Sequence, residues 1–131
     1  MRAVDTNVLV RALVRDDEAQ AARAEALLQA DTVYVPVNVV FELEWVLRSR
    51  YAFAPKRVAQ VLEMLVSLPN VVVGERACVL AATAKVAQGW DFADALHHAL
   101  SRGCDDFVTL DADLSRYAAR ASRLLPPITK L

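Results

Sequence analysis

Four acidic residues stand at points of the sequence where the local pattern of apolar residues does not require a charge. Asp5 follows a short apolar stretch in "MRAVDTNVLV", and Asp111 follows another in "FVTLDADL". Glu42 lies within the apolar segment "VPVNVVFELEWVLRSRY", and Asp94 lies within "WDFADALHHAL". If these side chains meet in the fold, their like charges repel, and some protonate unless a cation neutralises them.

A divalent metal ion is the group that such a set of carboxylates would hold. Oxygen ligands alone suit Mg²⁺ or Mn²⁺ better than Zn²⁺, which prefers nitrogen and sulfur. A divalent ion orients water, lowers its pKa and stabilises the charge that develops on a phosphate during its transfer. Hydrolysis of a phosphodiester is the reaction that this chemistry serves best.

Three of the acids also have an ordinary structural explanation that the sequence leaves open. Asp5 and Asp111 can each cap the helix that follows, because an aspartate side chain accepts hydrogen bonds from the first free backbone N–H groups of a helix. Asp91 is the natural N-cap of the predicted helix that contains Asp94. This assignment places Asp94 at position N3, where a carboxylate interacts favourably with the helix dipole.

The two glutamates of the third predicted helix differ in their neighbours. Glu44 has Arg48 four residues later, an arrangement that favours an exposed ion pair worth ~0.3–0.5 kcal/mol. Glu42 has no basic residue within a turn and shares a largely apolar face with Val39 and Val46. A two-residue step turns a helix by about 200°, so the two carboxylates cannot enter the same site. We therefore expect Glu42 to reach the metal and Glu44 to form a surface pair.

Histidine and cysteine offer weaker candidates for metal binding. His97 and His98 follow Asp94 by three and four residues, but adjacent histidines point about 100° apart on a helix. No cysteine or third histidine completes a zinc set. We expect core packing for these side chains, or a supporting role near the site for His97. Cys78 and Cys104 lack metal-binding spacing and are interpreted as reduced thiols.

The elements that must position the acids alternate along the chain. Short β-branched segments predict strands over 2–5, 33–36, 71–73 and 107–109, with a further one around Ile128. Apolar residues at three-to-four spacing predict helices over 7–14, 17–30, 37–51, 55–67, 75–88, 91–102 and 111–119. Strands that alternate with helices indicate crossover connections and a mainly parallel sheet, and such sheets bind ligands beyond the carboxyl ends of their strands. Asp5 and Asp111 stand at two such ends, and we expect them on one sheet.

Length and composition limit the class of protein. A chain of 131 residues, 56% of them hydrophobic, with 3 Gly and 5 Pro, is expected to form one helix-rich domain over residues 1–131. Its net charge of −1 excludes a polycation, so attraction to nucleic acid must be local or mediated by metal. The sequence contains no apolar run of ~18 residues and no secretory leader pattern, so we expect a cytoplasmic location.

Four motifs, taken in order, resemble those of the PIN domain. They are "VDTNVLV", "FELEWVL", "DFADALHHAL" and "FVTLDADL", and the resemblance covers essentially the whole chain. It is strongest to the small single-domain nucleases of the VapC-like group, which are toxins of bacterial toxin–antitoxin pairs. The four family acids fall on Asp5, Glu42, Asp94 and Asp111. The polar residues that usually support the site fall on Asn7 and Thr109, and less specifically on Asp113, which a helix-start role also explains.

The resemblance implies an α/β/α sandwich with a mainly parallel central sheet of four or five strands. It also implies a Mg²⁺-dependent endoribonuclease, with Mn²⁺ as a substitute and no further cofactor. The expected partners are RNA, a second copy of the chain in a homodimer, and an antitoxin whose tail occupies a groove beside the active site. The candidate RNA contacts near the strand-end aspartates are Arg11, Arg15, Arg116 and Arg120.

Two alternatives to a nuclease remain at this stage. An aspartate-nucleophile phosphatase of the HAD type also places an aspartate after its first strand. That chemistry needs a second aspartate two residues later as a general acid, and this chain has Asn7 there. A non-catalytic protein-binding module is the other alternative, against which the intact set of four acids argues.

Overall fold

Five short parallel strands form the sheet part of the structure, a computed structural model that describes residues 1–116 and 124–131. Three of them form one sheet in the order β1-β2-β3, and the other two pair with each other: β1 (Arg2–Ala3), β2 (Val33–Val35), β3 (Val71–Val73), β4 (Phe107–Thr109) and β5 (Ile128–Lys130). The mainly parallel α/β fold expected from the sequence is confirmed. Backbone hydrogen bonds among the described residues divide the strands into a sheet of three and a separate pair. The expectation that Asp5 and Asp111 end strands of one sheet is therefore wrong, because β1 belongs to the first sheet and β4 pairs with β5.

Seven helices in the described part of the chain connect and cover these strands. They are α1 (Thr6–Val14), α2 (Glu18–Ala30), α3 (Val37–Ser49), α4 (Pro55–Ser67), α5 (Arg76–Val86), α6 (Phe92–Leu100) and α7 (Ala112–Arg116). Two helices join each consecutive pair of strands in the three-stranded sheet, as parallel pairing requires. None of the described helices is sufficiently long and apolar to cross a membrane.

The register of the first sheet places Asp5 immediately beyond its edge. Arg2 lies opposite Val33, and the N–H of Val4 donates to the carbonyl of Tyr34 at 3.1 Å, which continues the ladder by one residue. Val4 and Val33 are buried in the core. The chain then leaves the sheet at Asp5 and enters α1, as the strand-then-aspartate pattern predicts.

Most element boundaries agree with the sequence, and the differences have local causes. Pro55 opens α4 at a position where its missing N–H costs nothing. α5 ends at Val86 rather than at 88, because Lys85 accepts the N–H groups of Gln88 and Trp90 in a turn. α6 ends at Leu100, and Gly103 adopts a left-handed φ of 88° three residues later. The predicted helix over 111–119 is observed over α7, and its residues 117–119 lie outside the described part.

Helix α6 connects the core to the candidate site. Its buried residues are Phe92, Ala95, Leu96, His98 and Ala99, and it packs chiefly against α5. Asp94 lies on its first turn and is half-buried. The position of this carboxylate is therefore fixed by a helix that the core holds on several sides.

Candidate active site

Asp94 and Asp111 line the same cavity, whose volume is about 640 Å³. Asp91 and Asp113 also line it, so four carboxylates border this space. The Asp91 side chain caps α6 by accepting the N–H of Asp94 at 3.1 Å. This bond confirms the predicted N-cap and places Asp94 at N3.

A short turn after β4 holds Asp111. The Thr109 hydroxyl oxygen accepts the N–H of Asp111 at 3.0 Å. Oδ1 of Asp111 then accepts the N–H groups of Asp113 at 2.7 Å and Leu114 at 3.4 Å, so the aspartate caps α7. Its other oxygen, Oδ2, makes no hydrogen bond to the described residues.

The electrostatic environment of Asp94 disfavours its charge. Partial burial raises the pKa of this carboxyl above its ordinary value of 3.8, and the negative charges of Asp91 and Asp111 raise it further. His97 acts in the opposite direction. Asp94 and Asp111 are thus close enough to repel, as the sequence argument requires of two carboxylates in one site.

Asp5 borders a different cavity, of about 430 Å³, together with Asn7, Arg11, Gln20 and Arg23. Its Oδ1 accepts the N–H of Val8 at 3.2 Å and caps α1, while its Oδ2 makes no hydrogen bond to the described residues. The Asp5 carboxylate is exposed. Its capping role resembles that of Asp111.

The environments of the two α3 glutamates are the reverse of those expected. Glu44 is buried, 5% exposed, and its carboxylate accepts from Arg48 Nε at 2.6 Å and from Arg48 Nη2 at 3.4 Å. Glu42 is exposed. The prediction of an exposed Glu44 pair and an apolar surrounding for Glu42 is wrong. The helical phase is as predicted, with the two side chains on different faces, but the core lies on the Glu44 side.

The structure therefore brings together half of the predicted acid set. Asp94 and Asp111 share a cavity, whereas Asp5 borders another and Glu42 borders neither. Within residues 1–116 and 124–131, no three His, Cys, Asp or Glu side chains form a group that could hold a metal ion.

The residues around the shared cavity nevertheless fit a hard divalent cation. Its described lining contains four carboxylates and no His or Cys side chain, and oxygen ligands are those that Mg²⁺ and Mn²⁺ prefer. The repulsion between Asp94 and Asp111 is also of the kind that a cation would offset. The chemical types of these side chains are thus compatible with a divalent cation, although no three of the described acids are grouped so as to hold one.

The arginines proposed as RNA contacts mostly have acidic partners. Arg11 bonds Asp16 at 2.8 Å, and Arg15 pairs with Glu18 at 3.0 Å and with Glu25. Arg116 pairs with Asp113 at 2.5 Å, and both side chains are about three-quarters exposed. Arg120 lies outside the described residues. Arg11 and Arg116 are the two that border a cavity containing a predicted site acid.

The two histidines point in different directions, as the helical geometry predicts, but the expected core packing is observed for His98 and is wrong for His97. His97 is exposed, with its ring centroid 5.6 Å from that of Phe41 on α3. His98 is completely buried, where α6 packs against β4 and the segment before β5. The cysteines are unpaired thiols, as expected, with Cys78 buried and Cys104 exposed.

Sequence reasoning missed two residues of these cavities. Asp91 was assigned only a cap, yet it also lines the cavity and raises the pKa of Asp94. Its spacing of three residues from Asp94, one helical turn, could have indicated this proximity. Arg23 borders the Asp5 cavity without an ion pair to the described residues. No comparable feature of the sequence indicates a role for Arg23, a single basic residue in the alanine-rich helix α2.

Comparison with known proteins yields one family match. A family model described as PIN domain matches residues 2–120, which leaves out only residue 1 and residues 121–131. The matched segment contains all four predicted site acids. It favours the resemblance drawn from the motifs over a HAD-type phosphatase. No curated protein matches the chain.

Replacement of the two α3 glutamates should affect stability unequally. Glu44→Gln weakens a charge-assisted pair whose carboxylate is buried, and we expect the free energy of unfolding to fall by about 1–3 kcal/mol. The loss is no larger because the partner, Arg48, remains partly solvated. Glu42→Gln, at an exposed position, should change stability by less than about 0.5 kcal/mol. Urea unfolding of both variants measures the difference. Equal midpoints would contradict the assignment of Glu44 as the buried partner.

Substitution of Asp94 should change the pH dependence of stability. A carboxyl whose pKa is raised by folding destabilises the folded state when it is ionised, and this cost disappears as the pH falls through the folded-state pKa. We therefore expect Asp94→Asn to melt above the wild type at pH 7 in EDTA. The difference should shrink as the pH falls toward 3.8. A variant that melts below the wild type at pH 7, with the gap widening at low pH, would contradict this sign.

Proposed function

The chain belongs to the PIN domain family, and from this membership we propose that it is a metal-dependent endoribonuclease and the toxin of a toxin–antitoxin pair. PIN domains are typically nucleases that use divalent metal ions and act on RNA or other nucleic acids. The observation that carries the proposal is the cavity in which Asp94 and Asp111 repel each other beside two further carboxylates. We also propose that residues 1–131 form a single domain of this kind.

The residues that would hold the metal are Asp5, Glu42, Asp94 and Asp111. Mg²⁺ is the proposed ion and Mn²⁺ its substitute, because the set contains only carboxylate oxygens. When bound, a divalent ion supplies a more acidic water and offsets the charge that develops on the phosphodiester during hydrolysis. Half-buried Asp94 gains most from a bound cation, since the fold itself opposes its ionisation.

The other polar residues of the site have supporting roles in this proposal. Thr109 fixes the turn that presents Asp111, through the hydrogen bond from the Asp111 N–H to its hydroxyl oxygen. Asn7 borders the same cavity as Asp5. Asp113 lines the Asp94 cavity and holds Arg116 there.

The RNA backbone needs cations beside this acidic cavity. Arg11 and Arg23 border the Asp5 cavity, and Arg116 borders the Asp94 cavity. Arginine side chains suit this role because their planar guanidinium group binds phosphate through two hydrogen bonds. Because the net charge of the chain is −1, the protein as a whole does not attract RNA, and these local arginines must supply the attraction.

Exposed apolar side chains on α3 and α6 support the proposed protein partners, a second copy of the chain and an antitoxin. Phe41 and Trp45 on α3 are 37% and 51% exposed, and Leu100 at the end of α6 is 40% exposed. Phe41 and Leu100 border one small groove together with Leu96 and His97. Aromatic residues of this kind are enriched at interfaces between proteins.

Metal binding and cleavage test the proposed nuclease. Mn²⁺ should raise the melting temperature of the wild type. At a free Mn²⁺ concentration of 100 times its Kd, binding should add about 2.7 kcal/mol to the free energy of unfolding. Asp94→Asn and Glu42→Gln should keep the fold and lower metal-dependent RNA cleavage by about 100-fold or more, since metal ligands contribute several kcal/mol to the transition state. A single-stranded RNA of defined sequence, cut with and without EDTA, provides the assay.

Glu44→Gln is the matched control for this experiment. It makes the same chemical change two residues from Glu42, on the other face of α3, and should retain activity in proportion to its folded fraction. The reverse ranking, with Glu44 essential and Glu42 dispensable, would remove Glu42 from the proposed site. A wild-type melting temperature that does not respond to Mn²⁺, together with metal-independent cleavage, would refute the metal dependence.

Expression in bacteria tests the proposed toxin role. Overproduction of the wild type should arrest growth, because an active ribonuclease degrades host RNA, and the Asp94→Asn variant at equal abundance should not. A short reading frame beside the gene, co-expressed as a cognate antitoxin, should relieve the arrest. Unimpaired growth of several hosts that accumulate folded, Mn²⁺-binding protein would count against toxicity.

A further inference from the structure

His98 is a fully buried histidine whose two ring nitrogens both have polar partners. Its Nε2 lies 2.8 Å from the carbonyl oxygen of Pro126, and its Nδ1 lies 3.3 Å from Nζ of Lys85. Its ring stacks on Trp90 at a centroid distance of 5.7 Å and meets the edge of Phe107 at 5.6 Å. One side chain thus joins α5, α6, β4 and the segment that leads into β5.

The partners determine which nitrogen carries the proton. A carbonyl oxygen only accepts, so Nε2 must donate to Pro126, and a lysine ammonium only donates, so Nδ1 must accept from Lys85. The imidazole is therefore neutral, with its proton on Nε2. Burial lowers the pKa of His98 and Lys85 lowers it further, which together outweigh the opposite effect of the Pro126 hydrogen bond, in agreement with this neutral form.

The bond to Pro126 anchors the second strand pair to α6. The next residue, Pro127, accepts the N–H of Phe107 at 2.8 Å where β4 begins, and Thr109 accepts the N–H of Leu131 at 2.8 Å where β4 ends. A shift of Pro126 relative to α6 would therefore move β4, and with it the turn that carries Asp111.

Asp94 lies on α6, four residues before His98 and thus one helical turn away. The helix that holds one carboxylate is in this way bonded to the strand pair that holds the other. Trp90, which stacks on His98, also lines the cavity that Asp94 and Asp111 share. Nζ of Lys85 lies 4.3 Å from the centroid of the Trp90 ring. These contacts form a continuous path from the buried histidine to the site.

We propose that His98 is a positioning residue that fixes the distance between Asp94 and Asp111 through its hydrogen bond to Pro126. The proposal rests on the proposed function, in which these two carboxylates share a metal ion. His98 itself binds neither metal nor RNA. It acts only by holding the two carboxylates at the separation at which both can bind one cation.

Two amide substitutions separate this role from mere polarity in the core. In His98→Gln the amide nitrogen can reach the position of Nε2 and still donate to Pro126. In His98→Asn the shorter side chain places its amide near the position of Nδ1, so the bond to Pro126 is lost. Both variants bury a neutral amide, which makes each the control for the other.

Mn²⁺ affinity, measured by isothermal titration calorimetry on the full chain, is the first readout. His98→Asn should weaken Mn²⁺ binding by about 10–100-fold, the range for residues that orient metal ligands, and His98→Gln should stay within about threefold of the wild type. In RNA cleavage at saturating metal, kcat should fall for His98→Asn while KM for RNA stays constant. Amide hydrogen exchange of Phe107 should accelerate in His98→Asn alone.

A control variant accounts for lost stability. Val79→Ala removes buried apolar volume from α5 without removing a hydrogen bond, and it should lower the melting temperature while Mn²⁺ affinity and Phe107 exchange stay near wild type at temperatures where it is folded. If Val79→Ala, matched in melting temperature to His98→Asn, loses Mn²⁺ affinity equally, the positioning role is refuted. Equal affinities of the Gln and Asn variants would also refute it.

The wild type gives a test that no substitution can disturb. A long-range ¹H–¹⁵N spectrum at pH 7 should show His98 neutral with its proton on Nε2, and a proton on Nδ1 would overturn the proposal even if both variants fail to fold. A wild type that binds no Mn²⁺ and cuts no RNA would instead refute the proposed function. Phe107 exchange and the tautomer would still report whether His98 holds the strand pair.

Discussion

Short strands are the constraint on which the arrangement of this molecule depends. Each described strand has two or three residues, so each parallel pair contributes few ladder hydrogen bonds. Helices must therefore supply most of the burial, and α6, with five of its nine residues buried, does so beside the site. The bond from His98 to Pro126 adds a polar link between this helix and the β4–β5 pair. The carboxylates at the strand ends are positioned by helix packing as much as by the sheet.

The distribution of charge separates the site from the rest of the surface. Elsewhere, acids such as Asp16, Glu44 and Glu75 have an arginine partner. The pairs of Asp16 and Glu75 are exposed and contribute little to stability, whereas the Glu44 carboxylate is buried. Partial burial raises the pKa of Asp94, and of the charges that act on it, those of Asp91 and Asp111 raise it further while His97 lowers it. The fold thus tolerates an electrostatic cost at Asp94, whereas Asp113 in the same cavity and acids such as Asp16 and Glu75 elsewhere are neutralised by arginines. Such a cost is typical of sites that bind a cation or perform chemistry.

Local signals in the sequence predicted local structure well, whereas burial and non-local pairing were beyond them. Pro55 marks the start of α4 correctly, and Asp91 caps α6 as expected, because both effects act within a single turn. Periodicity gave the opposite phases of Glu42 and Glu44 but not the face that meets the core, since α3 is apolar on most sides. Burial of Glu44 is possible because Arg48 compensates its charge. The separation of β4–β5 from the first sheet depends on contacts between distant segments, which no local pattern encodes.

Capping and metal binding are not competing roles for Asp5 and Asp111. Each uses Oδ1 to accept backbone N–H groups at the start of a helix, and in each Oδ2 has no hydrogen bond to the described residues. The cap restricts the side-chain rotamer and thereby fixes the direction of the second oxygen, which reduces the entropy lost when a ligand binds there. Asp94 is the contrasting case, because its own backbone is capped by Asp91 and its carboxylate caps nothing among the described residues. An aspartate that follows a strand and begins a helix is therefore suited to ligation because it is a good cap, and the sequence pattern that indicates one role supports the other.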